Sequence, residues 1–246
     1  MADEPQREEE ASSFAPSFLH PEKARLIVLE GIDLSGRTTQ VQLLRDWLVA
    51  QQYAVTITTW RTSPLIADVL AQARAKSPLY PLTYSLLYCA DHLDRTEREI
   101  KPTLARGEIV LADRYAYTAF ARDEARGLER EWVRNLYHFT VEPDIVFYLH
   151  INPDEAVRRR LALQQQRETL QDTPSKKQKD QKRRRQEVAS MLSLTAEALE
   201  SFHDFEMKMY DQYQQMQKEF DFSVIEGSQS VDRVQAMLRH AVMRLL

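Results

Sequence analysis

Gly31 and Gly36 close a six-residue loop that runs directly into Arg37, Thr38 and Thr39. The pattern G-x-x-x-x-G-K-[ST] between a strand and a helix is a phosphate cradle. Its backbone N–H groups and the positive end of the helix point at an anion, and its Ser/Thr hydroxyl reaches Mg²⁺. Gly31, Gly36 and Thr38 fit the pattern, with Ser35 inside the loop and Thr39 following it, so these residues are candidates for gripping a nucleotide. The lysine position holds Arg37, whose larger, planar head can either fork onto phosphate oxygens or crowd the loop. A second constellation, Asp113-Arg114-Tyr115, follows an apolar run. Its arginine can clamp a phosphate bidentately, and its aspartate can hold magnesium through water or orient a nucleophile.

These residues need elements that aim them. The apolar run Arg25 to Glu30 predicts a strand before the loop, and the spacing of Val41, Leu44 and Leu48 predicts a helix from about Gly36 to Gln52. Further strands are expected over Ala54–Trp60, Glu108–Asp113, Asp144–Ile151 and Phe220–Glu226. Helices are expected from Ser63 to Lys76, Pro81 to Ala105, Tyr115 to Arg126, Glu129 to Phe139, from Pro153 onward with Asn152 as cap, and from Ser230 to Leu246. Strands alternating with helices imply an α/β protein with a five-stranded parallel sheet covered on both faces, in three layers. Ligands of such sheets bind beyond the carboxyl ends of the strands, where Gly31, Trp60, Asp113 and Gly227 lie.

The chain has 246 residues, enough for one substantial domain, and 43% of them are hydrophobic. A net charge of -4 gives no push toward nucleic acid or an anionic membrane. The one cysteine, Cys89, excludes an intramolecular disulfide and a cysteine-built zinc cluster. No apolar run reaches membrane-spanning length and the N-terminus is acidic, so a cytoplasmic protein is expected. Residues 1–22 read as a disordered acidic tail and 23–246 as one domain. A lid with a basic insertion is expected over about 162–190, its dense block running from Lys176 to Arg185 as a solvated, mobile segment.

The segments 29–40 (LEGIDLSGRTTQ), 86–91 (LLYCAD) and 113–115 (DRY), with Pro143-Asp144 and 152–156 (NPDEA), resemble the thymidylate kinase family in order and spacing. The resemblance runs from about Leu26 to Leu246 apart from the basic insertion. It implies a P-loop fold and transfer of the γ-phosphoryl of ATP to dTMP with Mg²⁺, in a protein that often dimerises through helices. By that resemblance, Asp33 contacts the acceptor sugar or helps organise magnesium, and Arg114 holds the acceptor phosphate. Tyr88 stacks on the acceptor base, Trp60, Arg61 and Thr118 line its pocket, and Ser228 and Gln229 flank adenine. Thr38 and Asp113 are the candidate magnesium ligands.

Several positions depart from the family. Arg37 replaces the loop lysine, and His92 follows Asp91 where an arginine is common; a protonated His92 can supply that cation, and Arg95 lies one helical turn on. Arg122-Asp123 stands where the family carries a tyrosine near the base, and can read a base edge or form a salt bridge. Leu34 lies where other members place a loop arginine, so a lid cation is needed. Arg158, Arg159 and Arg160 are candidates, as is the basic block from Lys176 to Arg185, with Arg159 assigned; successive helical residues about 100° apart cannot all face one site. Two other readings stay open: a kinase with another nucleotide or nucleoside acceptor, and an ATP-binding regulatory module without turnover.

Overall fold

The computed structural model describes Pro21 and residues 23–76, 79–171 and 196–246. The expected acidic tail, apart from Pro21, and the basic block from Lys176 to Arg185 lie outside the described residues. The five expected strands form as β1 (Arg25–Glu30), β2 (Val55–Thr59), β3 (Ile109–Asp113), β4 (Ile145–His150) and β5 (Phe222–Glu226). They make one parallel sheet in the order β2-β3-β1-β4-β5. β3 is buried at every residue, which is why it reads as an unbroken apolar run rather than an alternating one.

Nine α-helices are described: α1 (Arg37–Ala50), α2 (Ala67–Lys76), α3 (Pro81–Arg95), α4 (Lys101–Ala105), α5 (Ala116–Ala125), α6 (Arg130–Leu136), α7 (Pro153–Gln171), α8 (Ala196–Met216) and α9 (Val231–Leu245). Local chemistry explains their ends. Asn152 accepts the Asp154 N–H at 2.9 Å, as expected of the α7 cap. Ser230 caps α9 by accepting from Arg233 at 3.3 Å. α7 continues to Gln171, so residues 162–171, expected to begin the insertion, are helical.

The helix expected from Pro81 to Ala105 is interrupted. Thr96–Ile100 form a π turn between α3 and α4, and the Lys101 N–H returns to the Thr96 carbonyl. Pro102 supplies a reason. It has no N–H and clashes with the carbonyl four residues earlier inside a helix, but it is tolerated in a first turn. The π turn places Pro102 in the first turn of α4.

By contact density the chain divides into two units. The first comprises residues up to Val28 and Leu48–Ile145. Its β2 and β3 pair from Val55 with Ile109 to Thr59 with Asp113. Leu111, Tyr115, Phe120 and Tyr137 fill its core. The second comprises Leu29–Trp47 and Val146–Leu246. There β4 and β5 pair from Val146 with Phe222 to His150 with Glu226. Tyr148 stacks on Tyr213 with ring centroids 4.9 Å apart, and Leu238 and Val242 of α9 are buried.

Candidate active site

The loops after β1, β2 and β3 each carry a non-glycine residue in the left-handed region: Leu34 (φ 64°), Arg61 (φ 68°) and Arg114 (φ 74°). Such a conformation costs about 1–2 kcal/mol and persists only where the surroundings enforce it. All three lie at carboxyl ends of strands, where the sequence places its candidate residues.

In the second unit, the phosphate loop has the backbone its glycines permit. Gly31 has φ 145°, and a Cβ there would sit 2.7 Å from the Leu149 carbonyl oxygen. Gly36 has φ 97°, and the nearest group to a Cβ there is Nη1 of Arg159, at 3.9 Å. The Asp33 N–H donates to Glu206 of α8 at 2.9 Å, and Tyr213 donates to Glu30 at 2.7 Å. Arg37 is only 6% exposed. Its Nη1 donates to the Gly31 carbonyl, to the Ile32 carbonyl at 2.6 Å and to Ser35 Oγ at 3.1 Å. These contacts turn the Arg37 head back into the loop.

Beside the loop lies a cavity of about 480 Å³. One wall is loop residues 34–39 with Gln40, and another is the loop and helix start that hold Gly227, Gln229 and Val231. The third is one face of α7, Arg159, Ala162, Leu163 and Gln166, at the i, i+3, i+4, i+7 spacing of a helical stripe. Thr38 and Thr39 line it, whereas Ser228 is not among its lining residues. The Ser228 N–H donates to Glu226 at 3.1 Å, and hydrogen bonds from Ser228 hold that carboxyl below the usual range. The three consecutive arginines part company. Arg158 pairs with Glu155 on the surface, and Arg160 lies over the Phe202 ring. Arg159 alone of the three lines the cavity, donating to the Leu34 carbonyl at 3.0 Å and the Gly227 carbonyl at 2.8 Å.

In the first unit the candidates form a different kind of site. Asp91, fully buried, accepts from the backbone N–H groups of Arg61 at 2.9 Å and Ser63 at 3.0 Å. It also pairs with Arg95 at 3.1 Å, and Arg95 donates to Thr58 Oγ1 at 2.8 Å. Trp60 and Tyr88 are buried with ring centroids 5.3 Å apart, and Tyr84 stacks on Tyr88 at 4.3 Å. The Arg122 guanidinium sits over Tyr88 at 4.3 Å, Tyr84 at 4.8 Å and Trp60 at 5.1 Å. It forks onto Asp123 at 2.7 and 3.2 Å, and Asp123 also accepts Ser85 Oγ at 2.5 Å. Burial works against the Arg122 charge, but Asp123, with Tyr137 and Tyr84 adding to it, leaves the pKa raised. Burial, and then Asp123, push the neighbouring Cys89 thiol up to about 12. Arg114 Nη1 donates to Thr118 at 3.3 Å, while the buried Tyr115 hydroxyl donates to the Val141 carbonyl at 2.8 Å.

His92 requires a correction. The sequence leaves room for a protonated His92 against a phosphate, but the side chain is fully enclosed. Its ring stacks on Trp60 and its Nε2 lies 3.1 Å from Thr140 Oγ1. Burial, with Arg95 adding to it, drives its pKa well below the usual value, so it is neutral at pH 7. Arg95 is the cation of this helix turn.

Sequence reasoning did not single out Glu206, Ser85, Leu163 or Gln166. The last two follow from Arg159 by helical phase. Glu206 lies 173 residues from the amide it holds, and no local pattern announces it. No group of three or more potential metal ligands occurs among the described residues, and no described helix is long and apolar enough to cross a membrane.

Known proteins are similar to this chain in sequence. The Thymidylate kinase family model matches residues 29–198. The chain is 42% identical over 134 residues to the "Probable thymidylate kinase 2" of Saccharolobus solfataricus, covering 54% of this chain and 62% of that protein. It is 37% identical over 142 residues to the "Probable thymidylate kinase" of Thermococcus kodakarensis, covering 54% and 69%. Against the "Thymidylate kinase" of Brachyspira hyodysenteriae it is 33% identical over 138 residues, covering 56% and 68%. The matched region thus spans under two thirds of the first relative and slightly more of the others. With the phosphate loop, the parallel sheet and this match across most of the domain, the chain belongs to the thymidylate kinase family.

Proposed function

We propose that the chain transfers the γ-phosphoryl group of ATP to dTMP, giving ADP and dTDP, by in-line displacement. The observation that carries this reading is the cavity walled by the phosphate loop, one face of α7 and the loop at Gly227. It is the size of a small-ligand site, with an anion cradle along one wall and apolar surface from Leu163 and Val231 for a base. Gly31, Ser35, Gly36, Thr38 and Thr39 grip the donor phosphates, and Arg37 and Arg159 supply cations to them. Gln229 and Ser228 attend the adenine. A Cβ at Gly36 would project toward Arg159 across the cradle, so the loop fits a closely held phosphate chain.

Magnesium, when bound, neutralises charge on the transferring group, and it is typically held by one or two protein oxygens with waters and phosphates. Thr38 offers a hydroxyl and Asp113 a carboxylate for it. Asp33, which is partly exposed, is assigned to the acceptor sugar, and Arg114, oriented by Thr118, to the acceptor phosphate. Tyr88, Trp60, Arg61 and Arg122 are assigned to the acceptor base. Arginine and indole are donors only, so the base edge they meet carries carbonyl oxygens, as thymine does. In support, the buried Trp60 Nε1–H has no hydrogen-bond partner among the described residues. A cytoplasmic location and a homodimer belong to the same proposal. Leu82, Leu86 and Leu93, exposed along one side of α3, offer a second copy an apolar face.

The test is ADP release by the purified chain with MgATP and a panel of dTMP, dUMP, dCMP, dGMP and thymidine. We expect dTMP to lead the amino-bearing dCMP by at least about tenfold in kcat/KM. Another acceptor ranking above dTMP, or ATP binding without turnover, overturns the reading.

A further inference from the structure

We propose that Glu206, a residue of α8 far from the loop in sequence, is a positioning residue that sets the conformation of the phosphate loop. The proposal rests on the reading that this loop holds the donor phosphates, and it adds what keeps the loop in shape.

Leu34 is the strained point of the loop, a branched residue at φ 64° with no glycine to relieve it. Two side chains hold the backbone on either side of this point. Glu206 accepts the Asp33 N–H at 2.9 Å, and Arg159 donates to the Leu34 carbonyl at 3.0 Å. The first contact fixes the peptide plane before Asp33, and the second fixes the plane after Leu34. Only the backbone torsions of Asp33 and Leu34 lie between those planes, so holding both planes selects the left-handed form of Leu34. That form decides where the following N–H groups, from Ser35 to Thr38, are aimed.

Glu206 is suited to this task. It is 2% exposed, so water does not compete for the carboxyl oxygen that accepts the Asp33 N–H. It is also held rigidly. Tyr213 lies seven residues on along the same face of α8 and donates to Glu30 at 2.7 Å. The helix therefore grips the chain on both sides of Gly31.

The experiment compares Glu206→Ala, Glu206→Asp and Glu206→Gln in the full chain, each also with Leu34→Gly. Amide hydrogen exchange from Asp33 to Gly36 is measured without nucleotide, and the Kd for MgATP by displacement of a fluorescent ATP analogue. Glu206→Gln keeps an oxygen at the same reach, so exchange and Kd should stay near wild type. Glu206→Ala, and Glu206→Asp with its shorter reach, should speed exchange in the loop and weaken MgATP by about tenfold. Leu34→Gly should restore most of that loss, because glycine adopts positive φ without strain. A role in overall stability alone would show a lowered Tm that Leu34→Gly leaves uncorrected. Equal exchange in all three variants, or a weakened Kd that Leu34→Gly does not improve, overturns the proposal. The exchange arm needs no nucleotide, so a wild type that fails to bind MgATP would overturn the donor reading of the loop while Glu206 is still decided.

Discussion

The two units handle charge in opposite ways. The second unit meets its proposed ligand with backbone: a glycine loop, a helix start and an open cavity, with Arg37 and Arg159 both bonded to main-chain carbonyls. The first unit buries its charges in pairs among rings, Arg95 with Asp91 and Arg122 with Asp123, under Trp60, Tyr84 and Tyr88. A backbone cradle responds first to a change of backbone, and to the side chains around it only through the backbone they hold. A buried ionic cluster has the reverse sensitivity, because removing one partner strands the other in a low-dielectric environment.

The sharpest way to break this contrast is Arg122→Ala. It leaves the fully buried Asp123 with Ser85 but without its counter-charge, and should lower stability by about 3–5 kcal/mol in chemical denaturation. Arg122→Ala with Asp123→Asn should recover a large part of that. A loss under about 1 kcal/mol for the single variant would mean that the pair is hydrated and the contrast false.

Next comes Gly31→Ala. Its Cβ would meet the Leu149 carbonyl at 2.7 Å in a conformation alanine avoids. The strain should cost about 1–3 kcal/mol and weaken MgATP by roughly a hundredfold, read by Tm and nucleotide titration. Unchanged MgATP affinity would show that the grip is not backbone-made.

The smallest effect sharpens the comparison through pH. His92 is neutral in the fold because burial, and then Arg95, depress its pKa, whereas in the unfolded chain it titrates near 6.5. The unfolded state therefore binds the extra proton first. The stabilisation is fully present above about pH 6.5 and is lost as pH falls below it, by at most about 1.4 kcal/mol per pH unit. Thermal melts from pH 7.5 to 5 should show a steeper fall for wild type than for His92→Gln, in which an amide replaces the imidazole beside Thr140. Parallel slopes would place the sensitivity elsewhere.

Much of this was legible in the sequence, for reasons that differ by residue. The strands and the loop were readable because apolar runs and paired glycines act locally. Arg159 was one of three consecutive arginines offered beside the basic block, and helical periodicity explains why only one of the three lines the cavity. Arg37 was readable as a cation but not as one turned onto Gly31 and Ile32, since that choice depends on side-chain torsions. His92 was readable as a cation beside a phosphate because nothing nearby in sequence shows that Trp60, Tyr115 and Thr140 enclose it. The proposed assignment of Glu206 depends on a contact between distant segments, which no local pattern encodes.

The π turn at Thr96–Ile100 bears on how this family member tolerates changes of length. A π turn holds one more residue than the α turn it replaces. Deleting any single residue there would remove the extra residue and rotate everything before it by about 100° relative to α4. Tyr88, Asp91, His92 and Arg95 would swing off their face together, although none of them had been altered. In this segment, a frame-preserving loss of one codon is a graver lesion than most substitutions. Alignments that treat a gap there as neutral would pair residues from different faces of the helix.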